Sequence, residues 1–121
     1  MDVHVLVRTA VVLLAIAALG GLAMAGTRFA GRPHPPPLLA MMHGVFAASG
    51  LALLLVVGFA ASLPQAAWAG TVLLLLAAGG GLVLNLAFHW RQRALPVWLM
   101  LVHAAIAVAG FTVLAVVAWK L

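Results

Sequence analysis

Two histidines stand inside stretches of sequence that are otherwise apolar, His43 and His103. Each is followed by alanine four residues later and by glycine seven residues later, so both belong to the pattern His-x-x-x-Ala-x-x-Gly. Neutral imidazole is a common metal ligand, and two opposed imidazoles can bind a metal from opposite sides. Because ionisable residues are costly within a membrane, such a pair is first a candidate for function.

The composition around these histidines is that of a membrane protein. Of 121 residues, 68% are hydrophobic and 6% are charged, which is more apolar surface than a soluble domain of this length can bury. The few basic residues sit at the ends of apolar runs, which indicates no nucleic-acid binding. With no cysteine and a single carboxylate, Asp2, thiolate metal sites and paired-carboxylate catalysis are excluded.

Four apolar runs have the length of about 20 residues that a spanning helix needs. They cover roughly residues 3–25, 37–62, 67–88 and 95–119. Proline costs no hydrogen bond in a first helical turn, so Pro37 is a suitable start for the second span. Continuous rather than alternating apolar runs argue against strands. We therefore expect an all-α integral membrane four-helix bundle, with residues 1–121 forming one transmembrane domain.

The arginines predict the orientation of this bundle. Two loops, between spans 1 and 2 and between spans 3 and 4, carry Arg28, Arg32, Arg91 and Arg93. By the positive-inside rule these loops are cytoplasmic and both termini lie outside, as in a protein of the bacterial inner membrane. The four tryptophans fall near the predicted membrane interfaces, Trp90 and Trp98 at the inner one and Trp68 and Trp119 at the outer one.

The first span has an alternative interpretation. Arg8, an apolar core and the small residues Ala23-Met24-Ala25 before Gly26 resemble a secretory signal with a cleavage site. We retain it as a true span because it has a counterpart later in the chain.

That counterpart belongs to an internal repeat of 60 residues. Aligned without a gap, residues 10–59 and 70–119 share 16 of 50 identities. In span 2 nearly all the identities advance by steps of three and four, which traces one helix face. The repeat units, about 1–62 and 63–121, are two tandem hairpins of the same orientation. A bundle with the shared faces inward places His43 and His103 opposite each other, from diagonally placed helices.

Small residues surround the predicted histidine pair. His43 lies about 9 Å into its helix at 1.5 Å per residue, and the glycine pairs of spans 1 and 3 come near the same depth. Two symmetric histidines, in a site with apolar walls between closely approaching helices, suit bis-histidine ligation of a haem b. The ligands would be His43 and His103, and the clearance would come from Gly20, Gly21, Gly80, Gly81, Ala47, Ala107, Gly50 and Gly110.

With histidines paired between helices 2 and 4 of a four-helix plan, the chain resembles small membrane-bound b-type cytochromes of the cytochrome b561-like group. Members of that group often carry two haems, whereas this chain offers one histidine pair and thus predicts one. The resemblance implies electron transfer, with quinol or quinone as a partner. It describes an electron carrier or a redox subunit rather than a stand-alone enzyme.

Other interpretations of the histidines stay open. They could hydrogen-bond each other or a backbone carbonyl in a cofactor-free structural or assembly subunit of a larger, respiratory-type membrane complex. A small transporter is favoured by the repeat but not by the scarcity of polar residues. A copper site with Met24, Met41, Met42 or Met100 is disfavoured, because the methionines do not repeat in register.

Several interfacial side chains are weaker candidates. His89 is a possible hydrogen-bond partner of a haem propionate or a quinone head, although its repeat counterpart is Phe29. The four arginines Arg28, Arg32, Arg91 and Arg93 are possible propionate partners in addition to their role in topology. Asn85, the only amide of span 3, aligns with Ala25 and predicts a polar contact of unknown kind. His34 and His4 rank lower.

Overall fold

The protein is entirely helical in a computed structural model that describes residues 1–121. Its helices are α1 (Val3–Phe29), α2 (Pro37–Ala60), α3 (Gln65–Val83) and α4 (Val97–Lys120), and a π-helical turn, Leu84–His89, continues α3. Four helices, counting α3 and its π-helical turn as one, are long and apolar enough to cross a membrane. The predicted all-α bundle of four spans is confirmed.

Local sequence sets the start of each helix. The Asp2 carboxylate caps α1 by accepting a hydrogen bond from the Val5 backbone N–H at 3.2 Å. The second helix begins at Pro37, as expected. The other two begin directly after Pro64 and after Pro96, where proline has no N–H that the helix would leave unsatisfied.

The two hairpins pack side by side. Within them, α1 packs along α2 and α3 along α4, while the hairpins meet through α1 with α4 and α2 with α3. Consequently α2 and α4 are diagonally opposite. Burial follows the 60-residue repeat, since the same positions are buried in both units: Val7 with Ala67, Ala10 with Gly70, Leu14 with Leu74, Ala17 with Ala77, Gly50 with Gly110 and Leu54 with Leu114.

The hydrophobic core occupies one half of the bundle. Its members come from the first halves of α1 and α3 and the second halves of α2 and α4, from Val7–Leu14, Leu51–Val57, Ala67–Leu74 and Leu114–Ala118. That is the half away from the arginine-bearing loops. In the other half, the side chains of His43 and His103 are only partly buried. The histidines therefore lie beside the dense core, not within it.

Equivalent positions of the repeat join the two hairpins by different means. Arg8 donates from Nε to the carbonyl of Ala118 at 3.1 Å and lies over the Trp119 ring. At the equivalent place in the second unit, Trp68 covers Gly58 so closely that a Cβ there would be 2.7 Å from its Cζ2. The sequence did not predict this contact of Arg8, which links α1 to α4.

Candidate functional site

The repeat brings His43 and His103 together in the half of the bundle nearer the arginine-bearing loops. Their ring centroids are 6.2 Å apart and the ring planes are inclined by 71°. One ring comes from α2 and the other from α4, which are diagonal, so the pair bridges the two hairpins. The two histidines thus face each other, as predicted from the identities of the repeat, which lie on one face of each helix.

Each ring is oriented by a backbone carbonyl. Nδ1 of His43 lies 2.7 Å from the carbonyl oxygen of Ala17, and Nδ1 of His103 lies 2.7 Å from that of Ala77. A carbonyl oxygen only accepts, so Nδ1 carries the proton in a neutral ring and Nε2 keeps its lone pair. Neither Nε2 has a hydrogen-bond partner in the structure. This is the arrangement of a metal-binding histidine, whose other ring nitrogen donates to a carbonyl or a carboxylate.

Glycines of α1 and α3 form the surfaces on which the rings lie. A Cβ at Gly21 would be 3.2 Å from Cε1 of His43, and one at Gly81 would be 3.1 Å from Cε1 of His103. A Cβ at Gly20 would be 3.5 Å from the Cβ of His43, and one at Gly80 would be 3.8 Å from the Cβ of His103. The glycine pairs therefore lie at the level of the histidines, and any side chain at Gly21 or Gly81 would push the ring away.

The other small residues have different surroundings. Gly50 and Gly110 are buried where helices cross within each hairpin, since a Cβ on Gly50 would be 2.8 Å from Leu14 Cγ and one on Gly110 would be 2.9 Å from the Gly70 carbonyl. These two glycines contact the neighbouring helix and not the rings. Ala47 and Ala107, one turn beyond the histidines, are partly buried.

Of the four candidate arginines, Arg28 is fixed to the second hairpin. Its Nε donates to the carbonyl of Leu95 at 3.0 Å, next to a bond from the Leu95 N–H to the carbonyl of Pro33 at 3.1 Å. The other three arginines, Arg32, Arg91 and Arg93, are exposed. All four lie at the end of the bundle nearer the histidines, and no salt bridge uses any of them.

A second group of polar side chains gathers where α3 ends. The rings of His89 and His34 stack with centroids 6.2 Å apart, and Nε2 of His34 is buried without a partner. Beside them is a partly open pocket of about 350 Å³ between α2 and the π-helical turn. Its lining consists of Pro37, Ala40, Met41, Asn85, His89, Trp90 and Gln92. Asn85 and His89 thus share one pocket.

The end of α3, which forms one side of this pocket, differs from the end of α1 in the first hairpin. The π-helical bond from the Trp90 N–H to the Asn85 carbonyl, 2.8 Å long, moves the end of α3 by one residue. The left-handed residue after the helix is accordingly Gln92 in the second unit, whereas it is Gly31, the counterpart of Arg91, in the first. Sequence reasoning missed this turn, and the one signal for it was the loss of identity after Leu82.

The sequence allowed for a hydrogen bond from each histidine to a backbone carbonyl but did not identify those of Ala17 and Ala77, although both alanines are identities of the repeat. Nowhere does the chain gather three or more His, Asp or Glu side chains. The histidine pair therefore offers two ring nitrogens without a protein partner, Nε2 of each ring, and no third side chain of a metal-binding kind lies with them. No family model matches this chain, and neither does any curated protein or solved structure.

Proposed function

We propose that this protein holds one haem b between His43 and His103 and works as a membrane electron carrier or as the redox subunit of a larger complex. The observation that carries the proposal is the pair of partnerless Nε2 atoms on opposed rings 6.2 Å apart. A metal bound by two imidazole nitrogens at about 2 Å each separates the ring centroids by about 6 Å. The spacing therefore suits one ion between the two rings.

The surroundings suit a porphyrin in particular. A flat macrocycle needs apolar walls and no protruding side chains, and the rings here lie against Gly20, Gly21, Gly80 and Gly81. Propionates need cationic partners at the interface, which Arg28, Arg32, Arg91 and Arg93 supply at the same end of the bundle. When bound, the haem supplies one-electron chemistry. The protein orients both ligands through the Ala17 and Ala77 carbonyls.

We further propose that the protein transfers electrons to or from quinol or quinone, which the resemblance to the cytochrome b561-like group supports. The positive-inside rule supports cytoplasmic arginine loops in a bacterial inner membrane, with the termini outside. The haem then lies nearer the cytoplasmic face.

The second candidate function is that of a cofactor-free subunit of a larger membrane complex. It is favoured by the hydrogen bonds from Nδ1 of His43 and His103 to the alanine carbonyls, which tie α2 to α1 and α4 to α3 whether or not a metal is present. In this case the Nε2 atoms, which have no hydrogen-bond partner, have no functional role.

The haem content of protein purified from a haem-replete host separates the two functions. The proposal predicts about one haem per chain, with a Soret band and with α and β bands that sharpen on dithionite reduction. A colourless preparation that retains no haem after haem is added and the unbound excess is removed would refute the proposal and favour the cofactor-free subunit.

A further inference from the structure

The arginine-bearing end of the bundle has positive charge and no acidic side chain to balance it. The only acidic residue, Asp2, caps α1 at the opposite end. One of the four arginines, Arg28, is engaged with a backbone carbonyl. The side chains of the others make no hydrogen bond and are exposed, and they are Arg32, Arg91 and Arg93. Because a guanidinium presents a planar set of donors that matches a phosphate, these arginines can bind an anionic partner.

One of these arginines lies at the end of an apolar groove on the third span. The groove has a volume of about 240 Å³ and is lined by Leu82, Val83, Leu86, Ala87 and Arg91. The side chains of Leu82, Val83 and Leu86 are exposed, so the groove opens towards the lipid rather than into the bundle. An apolar wall that ends in a cation at the membrane interface has the two parts of a phospholipid site.

The π-helical turn helps to explain why Arg91 belongs to this groove. In an α-helix of 3.6 residues per turn, Arg91 would lie about two and a half turns beyond Leu82, on the opposite side of the helix. The bond from the Trp90 N–H to the Asn85 carbonyl spans five residues instead of four, which reduces the rotation per residue. Arg91 lines the same groove as Leu82.

The first hairpin has no cation at the equivalent place. The counterpart of Arg91 is Gly31. On the wall of the groove, Leu86 has Gly26 as its counterpart, which has no side chain. The combination of an apolar wall and an unpaired arginine therefore belongs to the second hairpin.

We infer that this groove binds one phospholipid with a net negative head group, its acyl chain along Leu82 and Leu86 and its phosphate on Arg91. A zwitterionic head group fits less well, because no acidic side chain at this end can pair with its ammonium group and Arg93 is two residues away. Inorganic phosphate would leave the apolar wall uncovered. Lipid binding does not require haem, and the three other arginines remain available to the propionates of the proposed haem.

The test is native mass spectrometry of the purified full chain in detergent, titrated with phosphatidylglycerol and phosphatidylcholine of the same acyl chains. We expect one phosphatidylglycerol per chain, bound about tenfold more tightly than phosphatidylcholine and not displaced by excess inorganic phosphate. Arg91→Gln should remove most of this preference. The matched control is Arg32→Gln, which removes the same charge from another exposed arginine at this end and should change the preference less than about twofold.

A second variant tests the groove without changing the charge. Ala87→Leu narrows the groove and should weaken binding of phosphatidylglycerol several-fold, whereas Ala69→Leu, at an exposed alanine near the other end of α3, should not. Equal affinities of the unsubstituted chain for the two lipids would overturn the inference. Equal losses in Arg91→Gln and Arg32→Gln, displacement by inorganic phosphate, or unchanged binding in Ala87→Leu would overturn it as well.

The same spectra separate this inference from the proposed function, because a bound haem adds its own mass. Preference for phosphatidylglycerol that depends on Arg91, in a chain that takes up no haem, would support the lipid site and refute the haem proposal. A haem adduct without any lipid preference would support the haem proposal and refute the lipid site.

Discussion

The imidazole rings of His43 and His103 lie 6.2 Å apart, and each is held by a hydrogen bond to the carbonyl of an alanine 26 residues earlier in the chain. The repeat makes this relationship symmetric, since each hairpin builds one half from its own two helices. Docking the hairpins brings the halves together. A site on a pseudo-two-fold axis follows from that arrangement, with one ligand from each side.

The glycines beneath the rings should be sensitive to a single methyl group. In Gly21→Ala and Gly81→Ala the new Cβ meets Cε1 of the histidine at 3.2 and 3.1 Å, so the ring must shift by a few tenths of an ångström. We expect haem occupancy to fall several-fold in each variant and further in the double variant, as measured by the ratio of Soret to protein absorbance. Gly26→Ala and Gly79→Ala are matched controls, because nothing lies within 4 Å of a Cβ at either position.

Substitutions of Gly50 and Gly110, which lie where helices cross within each hairpin, should lower the stability of the protein more than they disturb the histidine pair. A Cβ at Gly110 would lie 2.9 Å from the Gly70 carbonyl oxygen, and one at Gly50 would lie 2.8 Å from Leu14 Cγ. Overpacking of this kind costs about 1–3 kcal/mol, with the larger loss expected for Gly110→Ala because backbone yields less than a side chain. The loss of stability can be measured by unfolding each variant in mixed micelles with increasing SDS. Gly44→Ala, with open space around it, should unfold at the same SDS fraction as the unsubstituted chain.

Arg28 should contribute to the docking of the hairpins. Arg28→Gln removes the bond from Nε to the Leu95 carbonyl, and we expect a loss of about 1–2 kcal/mol in the free energy of unfolding. Arg32→Gln is the matched control, since Arg32 is exposed and its side chain makes no hydrogen bond. Equal losses in the two variants would show that charge near the interface, and not the Leu95 contact, is responsible.

The orientation of the bundle can be tested directly because the chain has no cysteine. We expect Arg32→Cys, in an arginine-bearing loop, to resist a membrane-impermeant maleimide in intact spheroplasts and to react after lysis. Ser62→Cys, in the loop between α2 and α3, should react without lysis. The reverse result would place the histidine half of the bundle towards the outside.

Much of the fold was predictable because a bilayer reduces the choices. Hydropathy located four spans, and Pro37 marked the start of α2. Hydropathy shows where lipid ends rather than where backbone hydrogen bonding ends, so the first span was predicted to stop near Ala25, while α1 continues to Phe29. The same limitation hid the π-helical turn within the third span.

The site was predictable as far as symmetry determines it. Identities on one face of α2 and α4 predicted that His43 and His103 oppose each other, and the helical rise of 1.5 Å per residue predicted the depth of the glycine pairs. Contacts that differ between the hairpins could not be found this way. Arg8 and Arg28 reach backbone carbonyls of the other hairpin, and no sequence pattern identifies a carbonyl acceptor.

Haem ligation by His43 and His103 is tested by the reduced-minus-oxidised spectrum of the purified protein beside those of His43→Ala, His103→Ala and His89→Ala. We predict a low-spin b-type spectrum in the unsubstituted chain, its loss in each of the first two variants and its retention in His89→Ala. Retention of that spectrum in both His43→Ala and His103→Ala would contradict the assignment of the ligands.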